Sequence, residues 1–361
     1  MPTFVVEDDR VLRQAQIVLD PATSAERIAA YTDFNAHDLA DYPGWLAGLR
    51  ARLPGTWPAT VRLVNDDAEW AAALPDAEVA IVESQEIGPA QLALAPRLRV
   101  VVNFGLVADN VDAEACRARG IAVLTLRRRT NIAMGEHTLL LVLALARRLP
   151  LIEGMVTKER MAAAGFAHRP YDTRHTAGAN FARIPDLRTL HGRTLGLLGF
   201  GEIGREVAAM ARTFGLQVLY HKRTRLSPAL EQEFKVRYCG FDELFERSEF
   251  LSVHVPYSPQ TKSLVDAAAL GRMQPGAYLV NTSRADVVDH DALVDALRSG
   301  RLAGAGLDVH YGEPAPAGDP LLAFGNVVLT PHMGGGSRLN ILQDVEEMLL
   351  ALHAALHAGR G

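Results

Sequence analysis

Short apolar runs alternate with stretches of helical spacing along most of the chain. In the first third the runs fall at 15–19, 61–64, 79–82, 98–102 and 121–124. Each is four or five residues long, the length of a strand, and segments such as 112–119 between them carry apolar residues at helical intervals. That rhythm predicts a parallel sheet with covering helices. A long apolar helix over 131–149 then leaves this unit. The segment 153–188 is more polar and poorly periodic, with Lys158-Glu-Arg, His168-Arg-Pro and Arg174-His175, and reads as an excursion over the surface. A second series of strands follows at 194–198, 217–220, 250–254, 278–281, 303–309 and 327–330. Helices at 202–214, 266–273 and 291–298 separate several of these runs, and an amphipathic helix over 338–357 follows.

Composition narrows the class. At 361 residues the chain exceeds the size at which one core stops growing, so two domains are expected. With 48% hydrophobic and 22% charged residues it has the make-up of an ordinary soluble globular protein. The net charge of −5 gives no electrostatic footprint for nucleic acid. Cys116 and Cys239 lie far apart without metal-ligand spacing and read as buried thiols of a reducing compartment. The acidic start of the chain lacks the apolar run of a signal peptide, and the longest apolar stretch, 139–146, is too short to span a bilayer. A cytoplasmic protein with no membrane or nucleic-acid partner, and no metal site, is expected.

The first chemistry-bearing motif is Gly199-Phe-Gly-Glu-Ile-Gly204, directly after the run 194–198 and opening the helix over 202–214. That context distinguishes a dinucleotide loop from a chance Gly-x-Gly-x-x-Gly. Gly199 permits the tight turn, Gly201 lets the backbone approach a pyrophosphate, and Gly204 lets helix and strand pack closely. Amides of Glu202 and Ile203 would meet the phosphates at the positive end of the helix. At the end of the next run, an NAD site normally places an acid for the ribose hydroxyls. Here that position is Lys222, followed by Arg223 and Thr224. Two cations and a hydroxyl suit a 2′-phosphate, so NADP is expected, with NAD as the alternative.

Farther on stand Arg284 in Val280-Asn-Thr-Ser-Arg-Ala-Asp, Glu313 in Asp308-Val-His-Tyr-Gly-Glu-Pro, and His332 in Thr330-Pro-His-Met-Gly-Gly. A cation, an acid and a histidine after a dinucleotide loop are the parts needed to move a hydride and a proton together. The cation would hold a small anionic substrate.

With these motifs in hand, the chain resembles the D-isomer-specific 2-hydroxyacid dehydrogenase family from about 79 to 336. The match is strongest at 196–204, 251–261, 280–289 and 307–336. The resemblance implies an α/β fold: a Rossmann-type doubly wound parallel sheet for the cofactor, plus a smaller flavodoxin-like α/β substrate domain. It places the substrate domain at 1–126 with 333–361, the dinucleotide-binding domain at 127–332, and the active site in the cleft between them. Arg284 would bind the substrate carboxylate and reacting carbonyl. His332 would be the acid/base, and Glu313 would support its protonated form, since a carboxylate within hydrogen-bond reach favours imidazolium. Asp308 would contact the nicotinamide carboxamide, while Val255, Pro256, Thr261 and Thr282 would line the dinucleotide. The remaining histidines, including His137, His168, His175 and His310, are expected to be packing or surface residues.

Three features depart from the family pattern. The loop expected to grip the substrate carboxylate is Gly105-Leu-Val-Ala-Asp-Asn110, so Leu106 and Val107 are its candidate contacts and Val107 replaces a second glycine. Arg127-Arg128 replaces a common Pro-Gly, read either as a solvated basic turn or as an anchor for a distal anionic group. The excursion is longer than usual and reads as a lid or a dimer arm; a homodimer is expected. The implied activity is NAD(P)-dependent interconversion of a small 2-oxo acid and a D-2-hydroxy acid, with a glyoxylate- or hydroxypyruvate-type reductase favoured. A phosphite-type dehydrogenase and a dinucleotide-sensing corepressor-like protein are the alternatives.

Overall fold

The structure, a computed structural model, describes residues 1–358. Two compact units emerge: Met1–Asn131 with the stretch from Gly335 onward, and Ile132–Gly334. In the first, β1 (Thr3–Glu7), β2 (Thr60–Val64), β3 (Val79–Val82), β4 (Val100–Asn103) and β5 (Ala122–Thr125) form a parallel sheet in the order β2-β1-β3-β4-β5. Alternate side chains feed two cores. Phe4, Val6, Val79 and Ile81 pack with Leu49 and with Leu349 and Leu352 of the helix Arg338–His357. Val5, Ala80 and Val82 point the other way, toward Trp70 and Leu92. Because both faces are covered, β3 reads as an unbroken apolar run and β4 as three valines before Asn103, each buried aliphatic side chain contributing roughly 1.5–3 kcal/mol.

One expected strand is wrong. The run 15–19 lies in a helix, Arg13–Leu19, and the first strand is instead Thr3–Glu7. Asp9 explains the switch, because its Oδ1 accepts from the amides of Val11 (2.6 Å) and Leu12 (3.3 Å) just ahead of the helix. Leu12, Ala15 and Leu19, at helical intervals, are all fully buried. A short run of apolar residues does not distinguish a buried helix from a buried strand.

The second unit contains β6 (Thr194–Leu198), β7 (Gln217–His221), β8 (Val236–Tyr238), β9 (Phe250–Val253), β10 (Ala277–Asn281), β11 (Leu302–Leu307) and β12 (Val327–Leu329). All pair in parallel, in the order β12-β11-β10-β9-β6-β7-β8. The chain enters at β6, builds outward to β8, then crosses back and builds the other side. That reversal beside β6 is the topological switch point at which doubly wound sheets bind ligands. The two sheets carry the expected Rossmann-type and flavodoxin-like orders. Missed by the pattern were β8, only three residues long, and the flanking helices Pro228–Phe234 and Phe241–Arg247.

The long helix runs Arg129–Ala146, ending earlier than expected: Arg148 turns left-handed (φ 53°) and Pro150 starts a separate turn, Leu149–Ile152. The excursion contains one short helix, Lys158–Ala163, and a small apolar cluster of Met155, Met161, Ala182 and Ile184. Its far end returns to the long helix through the Arg188 amide, which donates to Ala146 O at 2.8 Å. No helix among the described residues is long and apolar enough to cross a membrane.

Candidate active site

Register places the site. Across the second sheet, His221, Leu198, Val253, Asn281, Leu307 and Leu329 stand side by side as successive strand partners. The segments leaving these strands therefore share one rim. They carry the glycine loop after β6, Val255 and Pro256 after β9, Arg284 after β10, Asp308 to Glu313 after β11, and His332 after β12. Parallel pairing thus gathers chemistry spread over more than a hundred residues.

The central contact joins β11's loop to β12's. His332 Nδ1 lies 2.8 Å from Glu313 Oε2, with both side chains nearly half exposed. Glu313 Oε1 accepts from the His310 amide at 3.2 Å. Burial alone would push the Glu313 carboxyl up; the bonds from His332 and the His310 amide outweigh it and hold the group below its ordinary range. With Nδ1 facing a carboxylate, Nε2 is the ring atom left to exchange a proton with a substrate.

His332 has a left-handed backbone (φ 50°), unusual for a residue with a side chain. Asp308 secures the turn from beneath. Its buried carboxylate accepts from Thr330 Oγ1 (2.7 Å), the Met333 amide (3.0 Å) and the Gly334 amide (2.8 Å). Since the Thr330 hydroxyl gives its proton to Asp308, His137 Nε2 must be the donor to Thr330 Oγ1, at 3.0 Å. Burial opposes ionisation of Asp308, yet His137, whose Nε2 also lies 3.3 Å from Asp308 Oδ1, and these bonds hold its carboxyl at about 2, below the ordinary 3.8. A side chain at Gly334 would begin 2.8 Å from Asp308 Oδ2, which is why glycine stands there. Asp308, expected to contact the nicotinamide, thus has both oxygens engaged within the protein. His137, expected to be a packing or surface residue, is buried and part of this network.

Arg284 is exposed on an extended backbone at the start of a 3₁₀ turn. Its position is fixed by Asn281, buried at the end of β10. Asn281 Nδ2 donates to Arg284 O (2.9 Å), while its Oδ1 accepts from the Ser283 amide (3.0 Å) and hydroxyl (2.8 Å). The sequence gives no warning of this, because an asparagine ending a strand signals only a turn. Thr282 faces inward, its hydroxyl 3.1 Å from that of Thr138. Thr261 stiffens the turn after Val255 and Pro256, accepting from the Ser258 amide and donating to Pro256 O, both at 2.7 Å.

The glycine loop fits a dinucleotide. Gly199 has φ 95°, and a Cβ there would lie 2.4 Å from His254 O. A Cβ at Gly204 would lie 3.1 Å from Gly199 O, so helix and turn are in close contact. At Gly201, by contrast, a Cβ would meet nothing within 4 Å. That open approach leads to the N-terminus of the helix Glu202–Thr213, where Gly201 supplies no side-chain cap. Glu202 and Ile203 occupy its first turn. The two close contacts form the turn, and the open one leaves a phosphate room to reach backbone amides.

Beyond β7 the three basic side chains differ. Arg225 is bonded twice to Glu231, each at 2.8 Å. Lys222 and Arg223 form no ion pair among the described residues, and exposed Thr224 follows them. In the first unit, the loop from Gly105 is anchored by Asn103, whose Nδ2 donates to Gly105 O (3.0 Å) and Val107 O (3.2 Å). Leu106 is exposed, and Val107 avoids the left-handed region, so replacing a glycine there introduces no such strain. Arg128 donates to Glu83 at 2.6 Å and lies over the Phe104 ring at 5.1 Å. Neither the solvated turn nor the free anchor describes it.

A parallel sheet with a dinucleotide loop after its first strand and an acid–histidine pair farther along the same rim defines a nicotinamide-dinucleotide-binding α/β protein. Residues 139–334 match the sequence model described as D-isomer specific 2-hydroxyacid dehydrogenase, NAD binding domain. The chain belongs to the D-isomer-specific 2-hydroxyacid dehydrogenase family. It is 33% identical over 273 residues to the D-3-phosphoglycerate dehydrogenase of Mycobacterium leprae (strain TN), an alignment covering 75% of this chain and 48% of the relative. The chain thus spans about half the length of the mycobacterial relatives it matches. A glyoxylate reductase of Korarchaeum cryptofilum (strain OPF8) is 36% identical over 260 residues, covering 71% of this chain and 74% of that one. The crystal structure of TT0316 protein from Thermus thermophilus superimposes with a TM-score of 0.52 at 30% identity, covering 99% of this chain and 97% of that one.

Proposed function

We propose that the protein is an NADP-dependent reductase of small 2-oxo acids that forms D-2-hydroxy acids, of the glyoxylate or hydroxypyruvate type. The observation that carries the reading is the 2.8 Å bond from His332 to Glu313, on the rim that holds the glycine loop. A bound reduced nicotinamide supplies the hydride. Arg284 holds the substrate carboxylate and polarises the reacting carbonyl. Its exposed guanidinium, without an ion-pair partner among the described residues, suits that task. His332 Nε2 gives the proton to the developing alkoxide, while Glu313 keeps the imidazole oriented and favours its charged form. The amides of Leu106 and Val107 are the proposed additional grip on the carboxylate.

The preference for NADP rests on Lys222 and Arg223, two cations without ion-pair partners among the described residues at the end of β7, where an acid would select NAD. Self-association into a homodimer is part of the proposal. It is supported by exposed apolar residues on the long helix, the turn after it and the excursion: Leu140, Leu149, Val156, Phe181 and Leu187. A cytoplasmic site of action is supported by the two buried free thiols, Cys116 and Cys239.

The test is a panel of glyoxylate, hydroxypyruvate and longer 2-oxo acids with NADPH and NADH, followed by chiral analysis of the products. Turnover with NADPH preferred and D products formed is the expected result. Preference for NADH would refute the cofactor assignment. Oxidation of phosphite with NADP⁺, or dinucleotide binding without turnover of any acid, would replace the reductase reading.

A further inference from the structure

His310 stands where the loops carrying Glu313 and His332 meet, and it is bonded to both. Its backbone amide donates to Glu313 Oε1 at 3.2 Å. Its ring Nε2 lies 2.8 Å from Thr330 O. A carbonyl oxygen only accepts, so Nε2 carries the proton and is the donor. The same carbonyl accepts from the His332 amide at 2.9 Å, closing a three-residue turn around Pro331. One oxygen therefore takes two donors: one from the acid/base residue itself, the other from the neighbouring loop.

The turn needs this second hold. His332 is left-handed, a conformation that costs a residue with a side chain and persists only when its surroundings impose it. From below, Asp308 secures the Thr330 hydroxyl and the amides of Met333 and Gly334, with His137 supporting the hydroxyl. Those bonds join the turn to the start of the Glu313 loop at Asp308, but none reaches the Thr330 carbonyl and none engages the loop at His310, whose amide holds Glu313. The His310 ring does both. It also lines the same cavity of about 420 Å³ as Glu313 and His332, whose other walls include Pro314, Leu322 and Leu329.

We propose that His310 is a positioning residue: through Thr330 O and Glu313 Oε1 it locks the two loops together, so that the His332–Glu313 bond is formed before substrate arrives. The proposal rests on the reductase reading for its kinetic consequence, but not for its structural one. The titratable groups on the two loops are Asp308, His310, Tyr311, Glu313 and His332; His137 is bonded to them from the long helix, and the His290 ring lies 4.6 Å from that of Tyr311.

Two substitutions separate the ring's hydrogen bond from its bulk. His310→Phe keeps a ring and the backbone amide but removes the donor, whereas His310→Gln keeps an N–H able to reach Thr330 O. In His310→Phe we expect kcat for the best 2-oxo acid to fall about tenfold, with the KM for the dinucleotide changed less than about twofold. The alkaline limb of its reductive pH profile should move to lower pH, and His310→Gln should recover most of both losses. A Phe variant with parental kcat and pH profile would overturn the proposal, as would equal impairment in Phe and Gln, which would assign the effect to packing. If His310→Phe does not fold, His310→Asn, too short to reach the carbonyl, takes its place under the same criteria. If the parent reduces no 2-oxo acid, the reductase reading fails by itself. The NMR titration of the His332 ring, compared between parent and variant, then still decides the clamp: an unchanged titration counts against it.

Discussion

Two of the turns that bend the chain of the second unit into the left-handed region do so by different means. After β6 the bend falls on Gly199, at φ 95°, where any Cβ would run into His254 O. After β12 it falls on His332, at φ 50°, where a full side chain is retained. In the proposed function the first turn needs the absence of side chains, so that a phosphate can come close to the backbone. The second then needs a side chain at a strained position, from which a proton would be moved. Strain relieved by glycine needs no support. Strain kept with histidine is held by Asp308, Thr330 and the bond to Glu313.

Breaking the second turn's chemistry should have the largest effect. His332→Ala is expected to lower turnover by roughly 10²–10⁴-fold while NADPH binding, followed by fluorescence, stays near parental. Full activity in this variant would end the assignment of His332. Gly199→Ala attacks the first turn: clash and backbone strain together should cost roughly 2–5 kcal/mol in denaturant unfolding and abolish dinucleotide binding. A variant with parental stability and binding would show that the turn tolerates a Cβ.

The support beneath His332 gives a pH signature. The Asp308 carboxyl sits at about 2 in the folded protein, below the ordinary 3.8. A depressed carboxyl stabilises the fold fully above its unfolded value and loses that contribution as pH falls through the folded one. Asp308→Asn should therefore unfold on the order of 2 kcal/mol more easily at pH 6, with the gap to the parent closing as pH drops from about 4 toward 2. A gap independent of pH would mean the carboxylate charge is not what holds the turn.

Glu313→Gln should keep the shape of the pair and remove its charge. The reductive pH profile should then lose its alkaline side earlier, because nothing negative remains beside the ring. An unmoved alkaline limb removes Glu313 from that role. The smallest effect sharpens the comparison itself. His332→Gly should be more stable than His332→Ala by about 1 kcal/mol, since glycine meets the left-handed bend without strain. Equal stabilities would show that the bend at 332 is not strained.

The residues proposed to meet a ligand stand in more recognisable local patterns than those that hold them in place. The glycine loop declared itself because strand, motif and helix follow one another locally. The run 194–198 is strand for the same reason: its boundaries are set by neighbours. The run 15–19 failed because its helix is buried on nearly every side, which erases the polar stripe that marks a helix. Asn281 escaped notice because its partners, Ser283 and Arg284, are local and an asparagine ending a strand signals only a turn. His137 and His310 escaped for another reason: their partners lie on other elements, His137 finding Thr330 far along the chain, and only the parallel register brings them together. Nothing local to the sequence marks a histidine that donates to a carbonyl on the next strand.

The strand order has a consequence for how the protein can change over generations. Lys222 and Arg223 leave β7, on one side of β6, while Arg284, Glu313 and His332 leave β10, β11 and β12 on the other. From β7 to β10 is three strand steps, about 14 Å, beyond the range at which substitutions usually influence one another. If the proposed roles hold, cofactor preference and proton chemistry are inherited as separate modules. A lineage would then exchange one dinucleotide for the other by altering two residues after β7, without renegotiating the acid/base pair.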